Sequence, residues 1–176
     1  WLTDLKLRAS YGMTGNFQIG NYTHLSTMDT DNYILGSGNG SETSGYKPTG
    51  VENPDLTWEK TGMANVGIDA NFLNGYITLT AEYYNSMTTD MLLNVPIPHL
   101  TGYSTTLMNI GKVNNRGVEL QIGSSHSYEN GLGYSFNANF AKNINEVKAL
   151  GANDTPIIST GSVNHAYYIT QVGSPI

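Results

Sequence analysis

The stretch Thr61-Gly62-Met63-Ala64-Asn65-Val66-Gly67-Ile68-Asp69-Ala70-Asn71-Phe72 carries two different surfaces on one strand. Its even positions read Gly62, Ala64, Val66, Ile68, Ala70 and Phe72. Its odd positions read Thr61, Met63, Asn65, Gly67, Asp69 and Asn71. Strand side chains alternate, so one face is small and apolar while the other is amide, hydroxyl or carboxylate. A wall with lipid on one side and water on the other needs that division.

The layout recurs in four more segments. Over 5–12, Leu5, Leu7, Ala9 and Tyr11 oppose Lys6, Arg8 and Ser10. Over 76–85, Ile77, Leu79, Ala81 and Tyr83 oppose Thr78, Thr80, Glu82 and Tyr84. Val118, Leu120 and Ile122 oppose Glu119, Gln121 and Gly123 over 116–124, and Tyr134, Phe136, Ala138 and Phe140 oppose Ser135, Asn137 and Asn139 over 133–142. Asn74-Gly75 and Asn130-Gly131 lie between neighbouring segments, and Asn-Gly between alternating runs signals a tight hairpin.

The remaining connections, about 13–60, 86–114 and 143–167, are long and polar, with the glycine-rich residues 36–40 the most flexible part. Pro96 and Pro98 mark 86–114 as loop, since proline cannot donate to a central ladder. A short strand is expected at 168–172. Long and short connections alternate, which predicts long loops outside, short turns on the periplasmic side, and strands one, three and five running outward. Tyr11, Phe72, Tyr76, Tyr83, Tyr84 and Tyr134 lie near strand ends, where interfacial aromatic girdles belong. The expected fold class is all-β: an antiparallel meander forming an open part of a transmembrane β-barrel. Five strands fall short of the roughly eight that the smallest barrels use.

Composition agrees. Charged residues make up 12% of the 176, about half of the roughly 25% usual in soluble domains. No apolar run approaches the ~18 residues of a membrane helix. A net charge of -6 argues against a nucleic-acid partner, which needs a basic patch. With no cysteine there is no disulfide framework and no thiolate zinc site. The chain opens on Trp1 without a methionine or leader and stops at Ser174-Pro175-Ile176, so a piece of a longer protein is expected.

Signals for catalysis are weak. His24, His99, His126 and His165 are scattered without metal-binding spacing and read as solvated loop histidines. No Gly-x-Ser-x-Gly elbow is present. Asp29-Thr30-Asp31 opens like a calcium loop, but Tyr33 takes the fifth position and Gly40 the twelfth. Gly36-x-Gly38-x-Gly40 lacks the strand-then-helix context of a phosphate loop. The triplets at Asn21, Asn39 and Asn153 fit the glycosylation pattern, which alone assigns no site. No catalytic, cofactor-binding or metal residue is assigned, and no enzyme is expected. The long loops instead carry tyrosines beside amides, a combination that suits sugar rings and partner surfaces. Tyr33, Tyr46 and Tyr103 are the candidates for contact with substrate or partner. Arg116 and Glu119 fall on opposite faces, so Glu119 is left to meet Lys6 or Arg8 if the register permits.

Several phrases point to a family. They are Leu5-Lys6-Leu7-Arg8-Ala9-Ser10-Tyr11-Gly12 with Thr14-Gly15-Asn16, and Asn53-Pro54-Asp55-Leu56-Thr57-Trp58-Glu59-Lys60-Thr61. Glu82-Tyr83-Tyr84-Asn85 and Thr88-Thr89-Asp90-Met91-Leu92-Leu93 follow. Then come Asn109-Ile110-Gly111-Lys112-Val113, Asn115-Arg116-Gly117-Val118-Glu119-Leu120 and Val172-Gly173-Ser174-Pro175-Ile176. In these the chain resembles the SusC/RagA-type TonB-dependent transporters of the Bacteroidetes outer membrane. The resemblance implies that residues 1–176 belong to the barrel domain, in the later part of a roughly 22-stranded plugged barrel. It also implies import of glycans or peptides with a SusD-like surface lipoprotein, in outer-membrane lipid, driven by the TonB complex and without a cofactor. The family's plug domain, TonB-contacting box and aromatic-ended final strand have no match here. A diffusion porin, or a soluble glycan-binding or adhesin β-domain, would share the alternation, and the substrate is left open.

Overall fold

The computed structural model describes residues 1–17, 19–36, 40–151, 153–160 and 167–176. Its strands are β1 (Leu2–Asn16), β2 (Met28–Leu35), β3 (Ser41–Pro48), β4 (Glu59–Phe72), β5 (Ile77–Pro96), β6 (Thr105–Ser127), β7 (Gly133–Leu150), β8 (Ile157–Thr160) and β9 (Tyr167–Thr170). One five-stranded sheet runs β1-β4-β5-β6-β7, while β2-β3 and β8-β9 form separate hairpins. Every pairing is antiparallel. The five segments singled out by alternation are the five strands of the large sheet.

Register keeps the two faces separate across all five. Leu7 pairs with Ile68, Ile68 with Ala81, Ala81 with Leu120 and Leu120 with Phe140. One step away, Lys6 pairs with Asp69, Asp69 with Thr80, Thr80 with Gln121 and Gln121 with Asn139. The first row lies on the apolar face and the second on the polar face, and a slip of one residue would exchange them. The apolar face is uncovered: Leu7 is 72% exposed and Phe140 58%. Buried apolar side chains gather instead at the long-loop end, where Val113, Val147 and Leu150 pack with Met91, Leu93 and Ile157. There the C-terminal segment returns alongside β7, with Val147 N–H donating to Ser174 O and Gly173 N–H to Val147 O, both at 2.9 Å.

Both Asn-Gly signals are turns. Asn74 (φ 57, ψ 36) and Gly75 (φ 91) take type I′ geometry, and Tyr76 N–H closes onto Leu73 O at 3.3 Å. In the second turn Gly131, at φ 85, donates to Tyr128 O at 3.1 Å, and Tyr128 N–H donates to Leu132 O at 2.7 Å. That is the three-residue hairpin in which a left-handed glycine restores the strand twist.

The long connections differ from expectation. Residues 86–114 are mostly strand: β5 runs to Pro96, β6 starts at Thr105, and Ile97 N–H closes the turn onto Ser104 O at 3.0 Å. Pro96 is the last residue of β5, where a missing donor interrupts no interior pairing. Within 13–60, β1 continues to Asn16, β4 starts at Glu59, and β2-β3 form a hairpin. Residues 143–150 extend β7, and the short strand ends at Thr170 rather than Val172. The cause is length. The 23 residues of β6 rise roughly 50 Å at ~3.3 Å per residue and a tilt of ~45°. An apolar band is only ~25 Å tall. Beyond it no lipid face imposes the period, and side chains such as Val113, Val147 and Leu150 pack among themselves, so the alternation disappears from the sequence while the ladder continues. Of the glycine-rich residues 36–40, positions 37–39 lie outside the described residues, as does His165.

Leu120 and Gln121 test the two faces, being adjacent in sequence and opposite in direction. In the full barrel, Leu120→Arg should cost ~2–4 kcal/mol near the midplane. Gln121→Arg should cost much less. Denaturant unfolding in lipid vesicles measures both, and equal losses would contradict the face assignment.

Candidate functional site on the wall and its outer hairpin

The polar face is organised by Arg8 on β1. Its Nε donates to Asp69 Oδ2 at 2.7 Å and its Nη2 to Asp69 Oδ1 at 3.2 Å. Both Nη atoms reach Glu82 Oε2 at 3.4 Å, and Thr80 Oγ1 donates to Asp69 Oδ1 at 3.1 Å. Three strands are thereby tied together over β4. Gly67 makes the reach possible, because a Cβ there would come within 3.0 Å of Arg8 Nη2. Glu82, not Glu119, is the partner of Arg8 on β5; Glu119 lies directly opposite Glu82. Tyr84 repeats the device on the next pair of strands. Its ring lies over Gly117, where a Cβ would meet the phenol oxygen at 2.7 Å, and its hydroxyl donates to Asn143 Oδ1 at 3.1 Å. These partly exposed ion pairs add little stability. Their chemical content is a face dense in hydrogen-bonding groups. Among the described residues no three metal-ligating side chains come together.

At the short-turn end the apolar face finishes in rings. Trp1 stacks on Phe72 with centroids 5.7 Å apart. His126 lies 4.3 Å from Tyr76 and 4.4 Å from Tyr128, with Tyr134 at 6.5 Å. His126 is thus a strand residue of an aromatic cluster rather than a solvated loop histidine. Its even position in β6 puts it on the same face as Ile122. Tyr83 and Tyr84 do not mark a strand end, because β5 continues to Pro96. Tyr84 moreover points to the polar side.

The opposite end is built on the Asn53–Glu59 phrase. Asn53 Nδ2 donates to Leu107 O at 2.9 Å, and Glu59 Oε1 accepts from Leu92 N–H at 3.0 Å. Asn109 accepts from Thr57 N–H at 2.8 Å and donates to Thr57 O and Asp90 O, both at 2.7 Å. Asp90 sits in the β5 bulge at φ 58, with its carboxylate 3.0 Å from Lys60 Nζ. Sequence reasoning used these residues as family words and missed their role as a clamp. The turn chemistry of Asn-Pro-Asp beside a strand start was the available signal.

The candidate tyrosines separate. Tyr33 pairs with Thr43 and Tyr46 with Thr30, which puts the two rings on opposite faces of the β2-β3 hairpin. Tyr33 covers Gly45, whereas Tyr46 is 72% exposed. Tyr103 donates to Pro48 O at 2.7 Å and so holds the β5-β6 turn against the hairpin base. Between them lies a shallow depression of about 460 Å³ bordered by Asp29, Lys47, Thr101 and Tyr103. Asp31 pairs with Lys47 at 3.1 Å, and both Asp29 and Asp31 sit in an extended strand rather than an ion-binding loop.

Residues 1–170 match the family described as TonB dependent receptor-like, beta-barrel. This chain belongs to that family. It is 35% identical over 150 residues to TonB-dependent receptor P39 of Formosa agariphila, covering 85% of this chain and 14% of that protein. To TonB-dependent receptor SusC of Bacteroides thetaiotaomicron it is 32% identical over 155 residues, covering 87% of the chain and 16% of SusC. Among solved structures, a RagAB peptide importer in its 'closed-closed' state matches with TM-score 0.76 and 30% identity over 99% of this chain and 18% of that one. The chain therefore spans about one-seventh of the length of these curated relatives. TonB-dependent receptor barrels belong to the Gram-negative outer membrane, and a bare apolar face opposite a polar one is the division that a barrel wall needs.

Asn109→Ala in the full-length receptor removes the clamp but leaves the wall intact. Amide exchange over residues 53–58 should rise about tenfold or more as these hydrogen bonds are lost. Pairs between β4 and β5 should be unaffected. Peptide-resolved hydrogen exchange checks this, and unchanged protection of 53–58 would refute the clamp.

Proposed function

We propose that this chain supplies wall and outer loops to a TonB-dependent importer of glycans or peptides. The importer acts with a SusD-like surface lipoprotein in the outer membrane of a Gram-negative bacterium. The observation that carries the reading is the pair of rows held in register across five strands. One row is apolar and uncovered; the other is polar and internally bonded. Residues 1–176 belong to the barrel domain in this reading, and TonB is contacted by other parts of the protein. The similarity to the RagAB peptide importer supports peptide as cargo, and the glycan class rests on the family resemblance of the sequence. A soluble β-domain fits poorly, because the exposed row Leu7-Ile68-Ala81-Leu120-Phe140 would stand in water.

The outer hairpin is the contact surface for lipoprotein or cargo. Tyr46 presents its ring outward, while Tyr33 covers the hairpin and Tyr103 positions the adjoining turn. Full-length protein should sediment with outer membranes, co-purify with a surface lipoprotein, and take up labelled oligosaccharides or peptides only when TonB is present. Tyr46→Ala should lower uptake severalfold at unchanged abundance, and Tyr46→Phe should retain most of it, since the flat ring makes the contact. Uptake that survives loss of TonB would establish a diffusion porin instead. Recovery in the soluble fraction would establish a soluble domain.

A further inference from the structure

Alternation places two cations on the lipid side. Arg116 shares its face with Val118, Leu120 and Ile122 along β6. Lys142 shares its face with Phe140, Ala138 and Phe136 along β7. Lys142 pairs with Val118 and Arg116 with Ile144, which makes the two cations diagonal neighbours on one surface. Both stand at the outward limit of the apolar rows. Glu146 answers them only in part: its Oε2 is 3.9 Å from Arg116 Nη2, and its Oε1 is taken by Lys148 Nζ at 2.7 Å. Two cations thus share one carboxylate, and among the described residues Lys142 has no anion within ion-pair distance.

Two hollows meet at this point. One, of about 350 Å³, is bordered by Arg116, Lys142, Tyr83 and Ile144. The other, of about 450 Å³, lies directly inward and is lined by Val66, Ile68, Ala81, Leu120 and Phe140. Tyr83 and Val118 border both. Ala81 creates the inner hollow, being the small residue in the row between Ile68 and Leu120. A positively charged head site thus opens onto an apolar trough running along the wall.

We propose that Arg116 and Lys142 bind a phosphate of an acylated glycolipid in the outer leaflet, with one acyl chain lying in the trough over Ala81. Charge complementarity selects the head: a guanidinium and an ammonium side by side suit a phosphate dianion or monoester. Their level selects the source, because basic side chains at the edge of an apolar band meet lipid headgroups. The trough selects against a free anion, which would leave it empty. The inference rests on the wall reading above, with long loops outward.

The test uses the full-length receptor in nanodiscs of zwitterionic lipid, with lipid A as the probe, its dephosphorylated form as control and inorganic phosphate as competitor. Native mass spectrometry should show lipid A retained by the parent, and retained roughly tenfold more weakly by R116Q/K142Q. The dephosphorylated form should bind both proteins alike and weakly, and millimolar phosphate should not displace lipid A. Ala81→Leu fills the trough without touching either cation and should also weaken retention. Equal retention by the parent and both variants overturns the site, and displacement by inorganic phosphate reduces it to an anion site without a lipid role. Vesicle flotation separates the two readings. Variants that float yet hold lipid A like the parent overturn the lipid site alone, whereas a parent that does not float overturns the wall and the site together.

Discussion

Inside a bilayer every backbone N–H and C=O must find a partner within the protein, since hydrocarbon offers none. A sheet meets that demand only in a fixed hydrogen-bonded register, and register in turn decides which side chains share a face. In this chain the pairing Leu7-Ile68-Ala81-Leu120-Phe140 gathers the apolar residues of five strands on one side. The polar residues come together on the other side by the same choice. The two tight turns hold that register at one end, each with glycine at positive φ where a side chain would be strained. At the other end the bulge at Asp90 breaks the pattern, and there the protein spends side-chain hydrogen bonds from Asn109, Glu59 and Lys60 to hold the chain.

The polar face shows how a sheet surface bonds across strands. Arg8 crosses Gly67 to reach Glu82, and Tyr84 crosses Gly117 to reach Asn143. In both cases glycine on the middle strand supplies the room, and a long side chain on its neighbour supplies the bond. The result is a polar surface whose long side chains are bonded across three strands at a time. Stability in such a wall comes from the ladder rather than from a packed interior, and among the described residues its one cluster of buried apolar residues lies at the long-loop end.

Much of this was legible in the sequence. Five strands, their faces and both Asn-Gly turns follow from period-two alternation, which persists wherever one face meets lipid. The extent of β5, β6 and β7 was not legible, because residues 105–115 and 143–150 mix polar and apolar side chains on both faces, and register shifts at Asp90 and at Lys112/Val113 break the period. Arg8–Glu82 could not be told from Arg8–Glu119, since the choice depends on which strand lies next to β4. Tyr33, Tyr46 and Tyr103 were chosen for residue type, and their separation depends on hairpin parity and on the bond from Tyr103 to Pro48. The positions of Arg116 and Lys142 were different: both interrupt an apolar face, and counting by twos from Val118 and Phe140 was enough to find them.

The central claim is that one face of β6 meets lipid and the other meets the lumen. With any cysteines elsewhere in the full-length protein replaced, single cysteines at positions 117–123, a segment that has none of its own, can each carry a spin label in bilayers. Relaxation by oxygen, which concentrates in hydrocarbon, should peak at 118, 120 and 122. Relaxation by a water-soluble nickel chelate should peak at 117, 119, 121 and 123. A profile without period two, or one with the two sets exchanged, would contradict the account.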